Sequence, residues 1–74
     1  MVTPNEIKEW IEQGMGCESV QVAGDGRHFD AVIVSSLFKG KSMIEQHRLV
    51  YDALGDHMKS DIHALSLKTI EPTD

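Results

Sequence analysis

Two histidines stand where this chain can do chemistry. His28 opens the β-branched run that ends at Val34, and His63 opens the alternating segment ALSL, with a helical stretch between them. Neutral imidazole ligates iron and zinc through either ring nitrogen. Imidazoles at the mouths of two strands therefore make a candidate metal or partner site. Spacing alone does not assign it, because positions 28 and 63 lie too far apart for a local ligand motif. A solvated loop histidine beside Arg27 and a polar strand start are the competing readings.

The remaining reactive residues read more plainly. His47 shares a helical stripe with Met43, Val50 and Leu54, so it is expected to be packed and bonded to a nearby backbone group. His57 follows the Gly55 break and is expected to face solvent. Cys17, the single cysteine, excludes an internal disulfide and fits a reducing compartment. It reads as a small hydrophobe, since Glu18 beside it works against thiolate formation. Lys39, Gly40, Lys41 and Arg48 make a local basic face opposed only by Glu45, suited to an acidic protein or, more weakly, a phosphate backbone. No nucleophile sits beside a base, and no phosphate loop or dinucleotide fingerprint is present, so no enzyme is expected.

Composition sets the frame for these residues. A chain of 74 residues with 41% apolar and 26% charged content supports one domain, 1–74, with one core. A domain of this size buries only about 60% of its unfolded surface. The net charge of −5 opposes strong non-specific binding to nucleic acid. The longest apolar run, Ala31 to Val34, is far short of a membrane span. The N-terminal residues show no basic region followed by an apolar block, so no secretory signal and a cytoplasmic location are expected.

The elements that must position the histidines follow from caps, periods and turns. Thr3, Pro4 and Glu6 signal a helix start with a capping box, and Ile7, Trp10 and Ile11 then share a face. Gly14 and Gly16 are expected to end that helix by adopting the left-handed conformation. Ser19 to Ala23 alternates as a half-buried strand, Gly24-Asp25-Gly26-Arg27 is a hairpin turn, and His28 to Val34 is a central strand. Ser42 and Glu45 form a second capping box ahead of a helix whose stripe is expected to be Met43, Ile44, His47, Val50, Tyr51 and Leu54, closed by Gly55. Asp56 to Ser60 allows one further turn, Ile62 to Ile70 the last strand, and 71–74 a tail. The hairpin pair must be antiparallel, and a helical crossover of this length brings the third strand parallel to one of them. The expected fold is α+β: helix, strand, strand, helix, helical turn, strand, with helices on one face of a mixed three-stranded sheet.

These pieces, in this order, resemble the BolA family. The matching residues are His28-Phe29 leading into AVIVS, Phe38-x-Gly40, Gln46-His47-Arg48 with Val50-Tyr51, and His63-Ala64-Leu65-Ser66-Leu67. The Gly24-Asp25-Gly26 turn before His28 is most similar to the IbaG-like branch. The resemblance implies a class II KH-like fold and a heterodimer with a monothiol glutaredoxin. It also implies a shared 2Fe–2S cluster, in iron–sulfur trafficking or in iron and stress regulation. It places His63 and His28 as metal ligands, while the glutaredoxin cysteine and its glutathione hold the other iron. Two protein ligands cannot complete such a site, so no cluster is expected in the isolated domain. A ligating ring must be neutral at the binding nitrogen, so binding should weaken as pH falls through about 6.5, the reference value for histidine. The alternative is a KH-like nucleic-acid-binding regulator using the turn and helix from Phe38 to Arg48. Against it, KH domains use a Gly-x-x-Gly loop, and here Gly40 is followed three residues later by Met43.

Overall fold

The computed structural model describes residues 1–73; Asp74, the last residue of the expected tail, lies outside them. Helix α1 (Pro4–Gly14) begins with the capping box. The Thr3 hydroxyl accepts from the Glu6 amide at 3.2 Å, and Glu6 Oε1 accepts from the Thr3 amide at 2.9 Å. Two orphan donors at the helix start are thereby satisfied. Ile7 and Ile11, one turn apart, are buried. The helix ends at Gly14 as expected, but not through the left-handed conformation. Met15 leaves in an extended conformation, and neither Gly14 nor Gly16 adopts a positive φ. Gly14 serves a close approach instead, since a Cβ there would lie 2.7 Å from both Cβ and carbonyl oxygen of Ala53.

The sheet has the order β1 (Ser19–Gly24), β2 (His28–Val34), β3 (Ala64–Ile70). The hairpin turn makes β1 and β2 antiparallel, while β3 runs parallel to β2 from His28↔Ala64 to Val34↔Ile70. The central place of β2 agrees with its apolar, β-branched sequence. Strand β3 begins at Ala64 rather than Ile62. Ile62 is buried, and its amide donates to the His57 carbonyl at 2.9 Å, closing a helical turn instead of extending the ladder.

Between β2 and the next helix lies a short 3₁₀ turn, η1 (Ser36–Phe38), absent from the expected element order. Its cap is Ser35, buried in the core, whose hydroxyl accepts from the Leu37 amide at 3.1 Å and donates to the Gly16 carbonyl at 2.6 Å. Helix α2 (Met43–Leu54) starts at the Ser42–Glu45 capping box and stops at Gly55; α3 (His57–Ser60) follows. The stripe of α2 differs from expectation. Val50 and Leu54 are buried and Leu49 packs beside them, but Met43 and Ile44 are 69% and 71% exposed, and Tyr51 is exposed as well. The Gly14–Ala53 approach explains the rotation, because it turns the Ala53 side of α2 toward α1 and the Ile44–Tyr51 side outward.

Ile7 and Ile11 of α1 meet Val20 of β1, Phe29, Ala31 and Ile33 of β2, and Val50 and Leu54 of α2, with Phe38 and Ile62 closing the ends. The buried strand residues alternate, so the helices cover one sheet face. This is the α+β arrangement expected. Among the described residues no helix is long and apolar enough to cross a membrane. The helix contact is testable. Gly14→Ala should cost about 1–3 kcal/mol by overpacking, despite alanine's helix preference. Gly16→Ala, with nothing within 4 Å of an added Cβ, should stay within roughly 0.5 kcal/mol of wild type in urea denaturation.

Candidate functional site

The parallel register of β2 and β3 brings the two histidines together. His28 pairs with Ala64, and the Ala64 amide donates to the Arg27 carbonyl at 3.1 Å, so His63 enters beside the mouth of β2. Both residues are exposed. Their ring centroids lie 6.1 Å apart with an interplanar angle of 75°. Asp25 fixes the His28 side, its Oδ1 accepting from the Arg27 and His28 amides at 2.9 Å each. The Asp25 amide in turn donates to the His28 carbonyl at 3.2 Å. These amides, that of His28 first, hold the Asp25 carboxyl below its ordinary value of 3.8. Among the described residues no three His, Cys, Asp or Glu side chains gather to hold a metal. The arrangement supplies two nitrogen donors and an open side, which fits a site completed by another molecule and does not fit a self-contained one.

The basic turn lies elsewhere. Gly40, at φ +76°, donates its amide to Glu71 Oε1 at 3.2 Å. Only glycine takes that conformation cheaply. Gln46 clamps the turn, donating from Nε2 to the Phe38 and Lys41 carbonyls at 3.3 and 3.0 Å and accepting from the Thr69 hydroxyl at 2.6 Å. The turn thus sits at the C-terminal ends of β2 and β3, the histidines at their N-terminal ends. Seven-residue strands separate the two by about 20 Å at 3.3 Å per residue. Lys41 and Arg48 line an open groove of about 170 Å³ together with Glu45, Leu49 and Asp52. Glu45 stays ionised to lower pH than usual, chiefly through the Ser42 amide and hydroxyl, with Lys41 and Arg48 adding to this. The basic face therefore carries its own counter-charges. Gln46 and Glu71 carry this geometry without having been read as site residues, since both look like ordinary surface residues in sequence.

Three other residues depart from or refine the expectations. His47 is half-buried, and its ring makes no hydrogen bond to a described residue, so the expected bond from the imidazole to a backbone group does not form. His57 does not simply face solvent: its ring stacks on Trp10 at 3.6 Å and 3°, and Nδ1 lies 2.6 Å from Asp61 Oδ2. Cys17 is partly buried, and burial pushes its thiol up, with Glu12 and Glu18 adding to the effect. It packs against the core as the small hydrophobe expected.

Residues 11–74 match the family model of BolA-like protein. The chain belongs to the BolA-like family. It is 34% identical to the acid stress protein IbaG of Escherichia coli over 71 residues, covering 95% of this chain and 84% of that protein. It is 48% identical to SufE-like protein 1, chloroplastic/mitochondrial, of Arabidopsis thaliana over 72 residues. That match covers 93% of this BolA-like domain and 19% of the plant protein, so the chain spans about a fifth of that relative. A solved bolA protein homologue from Coxiella burnetii superposes with a TM-score of 0.86 at 53% identity, covering 97% of this chain and 94% of the other.

The Asp25 turn generates a pH prediction. A carboxyl whose folded value is depressed stabilises the fold fully above its unfolded value and loses that contribution as pH falls through the folded one. The hairpin should therefore weaken only below pH 3.8, with the Arg27 and His28 amide resonances moving together. Asp25→Ala should abolish that titration and speed amide exchange at His28 at neutral pH.

Proposed function

We propose that this BolA-like domain is a non-enzymatic, cytoplasmic adaptor that binds a monothiol glutaredoxin and shares a 2Fe–2S cluster with it, in cluster trafficking or in iron and stress regulation. The observation that carries the reading is the pair of exposed imidazoles 6.1 Å apart with no third donor grouped with them among the described residues. His28 and His63 would hold one iron, and the glutaredoxin cysteine with glutathione the other. Histidine in place of cysteine on one iron raises the potential of such a centre. The chain's own part is positional. Asp25 sets the backbone at His28, and the Ala64–Arg27 ladder bond sets the approach of His63. The exposed edge leaves room for a second protein, and the like charges of two such acidic domains would favour a different partner.

The test is co-purification with a monothiol glutaredoxin under anaerobic conditions. Wild type should yield a heterodimer with visible cluster absorption and circular dichroism. His63→Ala and His28→Ala should each change the dichroism and lower cluster occupancy by about tenfold or more, as expected when a metal site loses one of its ligands. A spectrum unchanged in either variant removes that residue as a ligand. The nucleic-acid reading is tested beside it by fluorescence anisotropy with a single-stranded oligonucleotide. The expected result is no measurable binding at low salt. Binding that falls steeply with salt and vanishes on charge reversal at Lys39 and Lys41 would favour the regulator instead.

A further inference from the structure

The segment that delivers His63 is anchored unusually lightly. Helix α3 buries none of its residues, and its N-cap Asp56 makes no side-chain hydrogen bond. Its first half is closed by the Asp56 carbonyl, which accepts from the Lys59 and Ser60 amides at 3.0 and 3.2 Å, and its exit toward His63 by the His57 carbonyl, which accepts from the Asp61 and Ile62 amides at 2.9 Å each. Met58 packs on the core only in part. What pins residue 57 itself is its ring, lying flat on Trp10 of α1 with centroids 3.6 Å apart and tied to Asp61 at 2.6 Å. The stack therefore connects the first helix to the short turn that ends at Ile62 and His63.

We infer that the Trp10–His57 stack, latched by Asp61, is a positioning device that sets how His63 meets His28. The inference rests on the proposed role of the histidine pair, yet its geometric content belongs to the isolated domain. The Ala64 amide and the buried Ile62 side chain hold the backbone on either side of His63. Between them the stack decides how tightly the preceding turn is wound. Loss of one aromatic stack is enough to change the occupancy of one backbone arrangement several-fold without unfolding the domain. The ring's edge is free to hold Asp61, and Asp61 lies two residues before His63, so the latch acts directly on the segment it positions.

Trp10 is the only tryptophan, so intrinsic fluorescence reports the stack directly. The experiment compares wild type with His57→Ala, His57→Phe and Asp61→Asn in the isolated domain, then in the glutaredoxin complex. His57→Ala should change the Trp10 emission, shift the His63 amide and weaken the His28–His63 ring cross-peaks, while the resonances of β1 and β2 stay in place. His57→Phe, which can stack but cannot pair with Asp61, should restore the His63 amide position and most of the ring cross-peaks. Asp61→Asn should give a smaller shift of the His63 amide. In the complex, His57→Ala should alter the cluster dichroism and His57→Phe should recover it. A His57→Ala protein whose emission changes but whose His63 amide and ring cross-peaks match wild type overturns the inference. So does a His57→Phe protein that stacks yet leaves His63 displaced. If wild type forms no cluster with glutaredoxin, the adaptor reading fails, and the ring cross-peaks of the isolated domain still decide this one.

Discussion

The parallel pairing of β2 with β3 is the constraint on which everything else in this domain depends. A parallel neighbour cannot be reached by a tight turn, so η1, α2 and α3 exist to carry the chain back to the end where β2 began. The register is held by apolar packing: Leu65 and Leu67 lie against the core while Ser66 and Lys68 face solvent. A slip of one residue would exchange those faces and move His63 along the strand by about 3.3 Å. The register that brings the two imidazoles to one edge is therefore held by burial of leucines, each contributing up to about 1.5–3 kcal/mol when fully buried. The histidines themselves contribute little to the pairing that joins them. The candidate pair can then remain exposed, because the pairing that brings it together does not depend on its own interactions.

Much of this was legible from sequence because each local signal had a single physical meaning. Two capping boxes, one at Thr3 and one at Ser42, marked helix starts that the hydrogen bonds reproduce. The β-branched run to Val34 marked a strand buried at its centre, and the four-residue turn before it admitted only antiparallel pairing. What was illegible depended on contacts between distant elements. Gly14 looked like a helix terminator because glycine often is one; its actual role needs Ala53, which no local window contains. The rotation of α2 follows from the same contact, which is why a stripe chosen by periodicity alone placed Met43 and Ile44 inward. The η1 turn hangs on Ser35 reaching the Gly16 carbonyl, again across the fold.

The candidate site divides in the same way. The sequence left open which hairpin strand β3 would join in parallel; its place beside β2 brings His28 and His63 to one edge, since parallel strands begin at one edge. The resemblance to BolA proteins supplied the ligand assignment, which spacing could not. By contrast, nothing in a reading of His57 as a residue after a glycine break pointed to Trp10, which lies on another helix. The roles of Gln46 and Glu71 were hidden for a different reason. Each is a surface residue of a common type, and its function is to satisfy amides and carbonyls of a loop whose path is itself a tertiary result.

The two ends of the β2–β3 pair are built on opposite principles, and the contrast bears on what each can do. At the C-terminal end, Gly40, Gln46, Glu71 and Thr69 exchange hydrogen bonds, and Lys41 and Arg48 share their groove with Glu45 and Asp52. The backbone donors of the turn are satisfied within the chain, and Lys41 and Arg48 lie among carboxylates, so a phosphate ligand would meet Glu45 and Asp52 beside those cations. At the N-terminal end the backbone is equally ordered, through Asp25 and the Ala64–Arg27 bond, but the side chains are not used up. Two imidazoles project there with few internal partners to displace. Binding costs least where the backbone is fixed and the functional atoms are unspent. That asymmetry favours the histidine edge as the place where a second molecule completes what this chain begins.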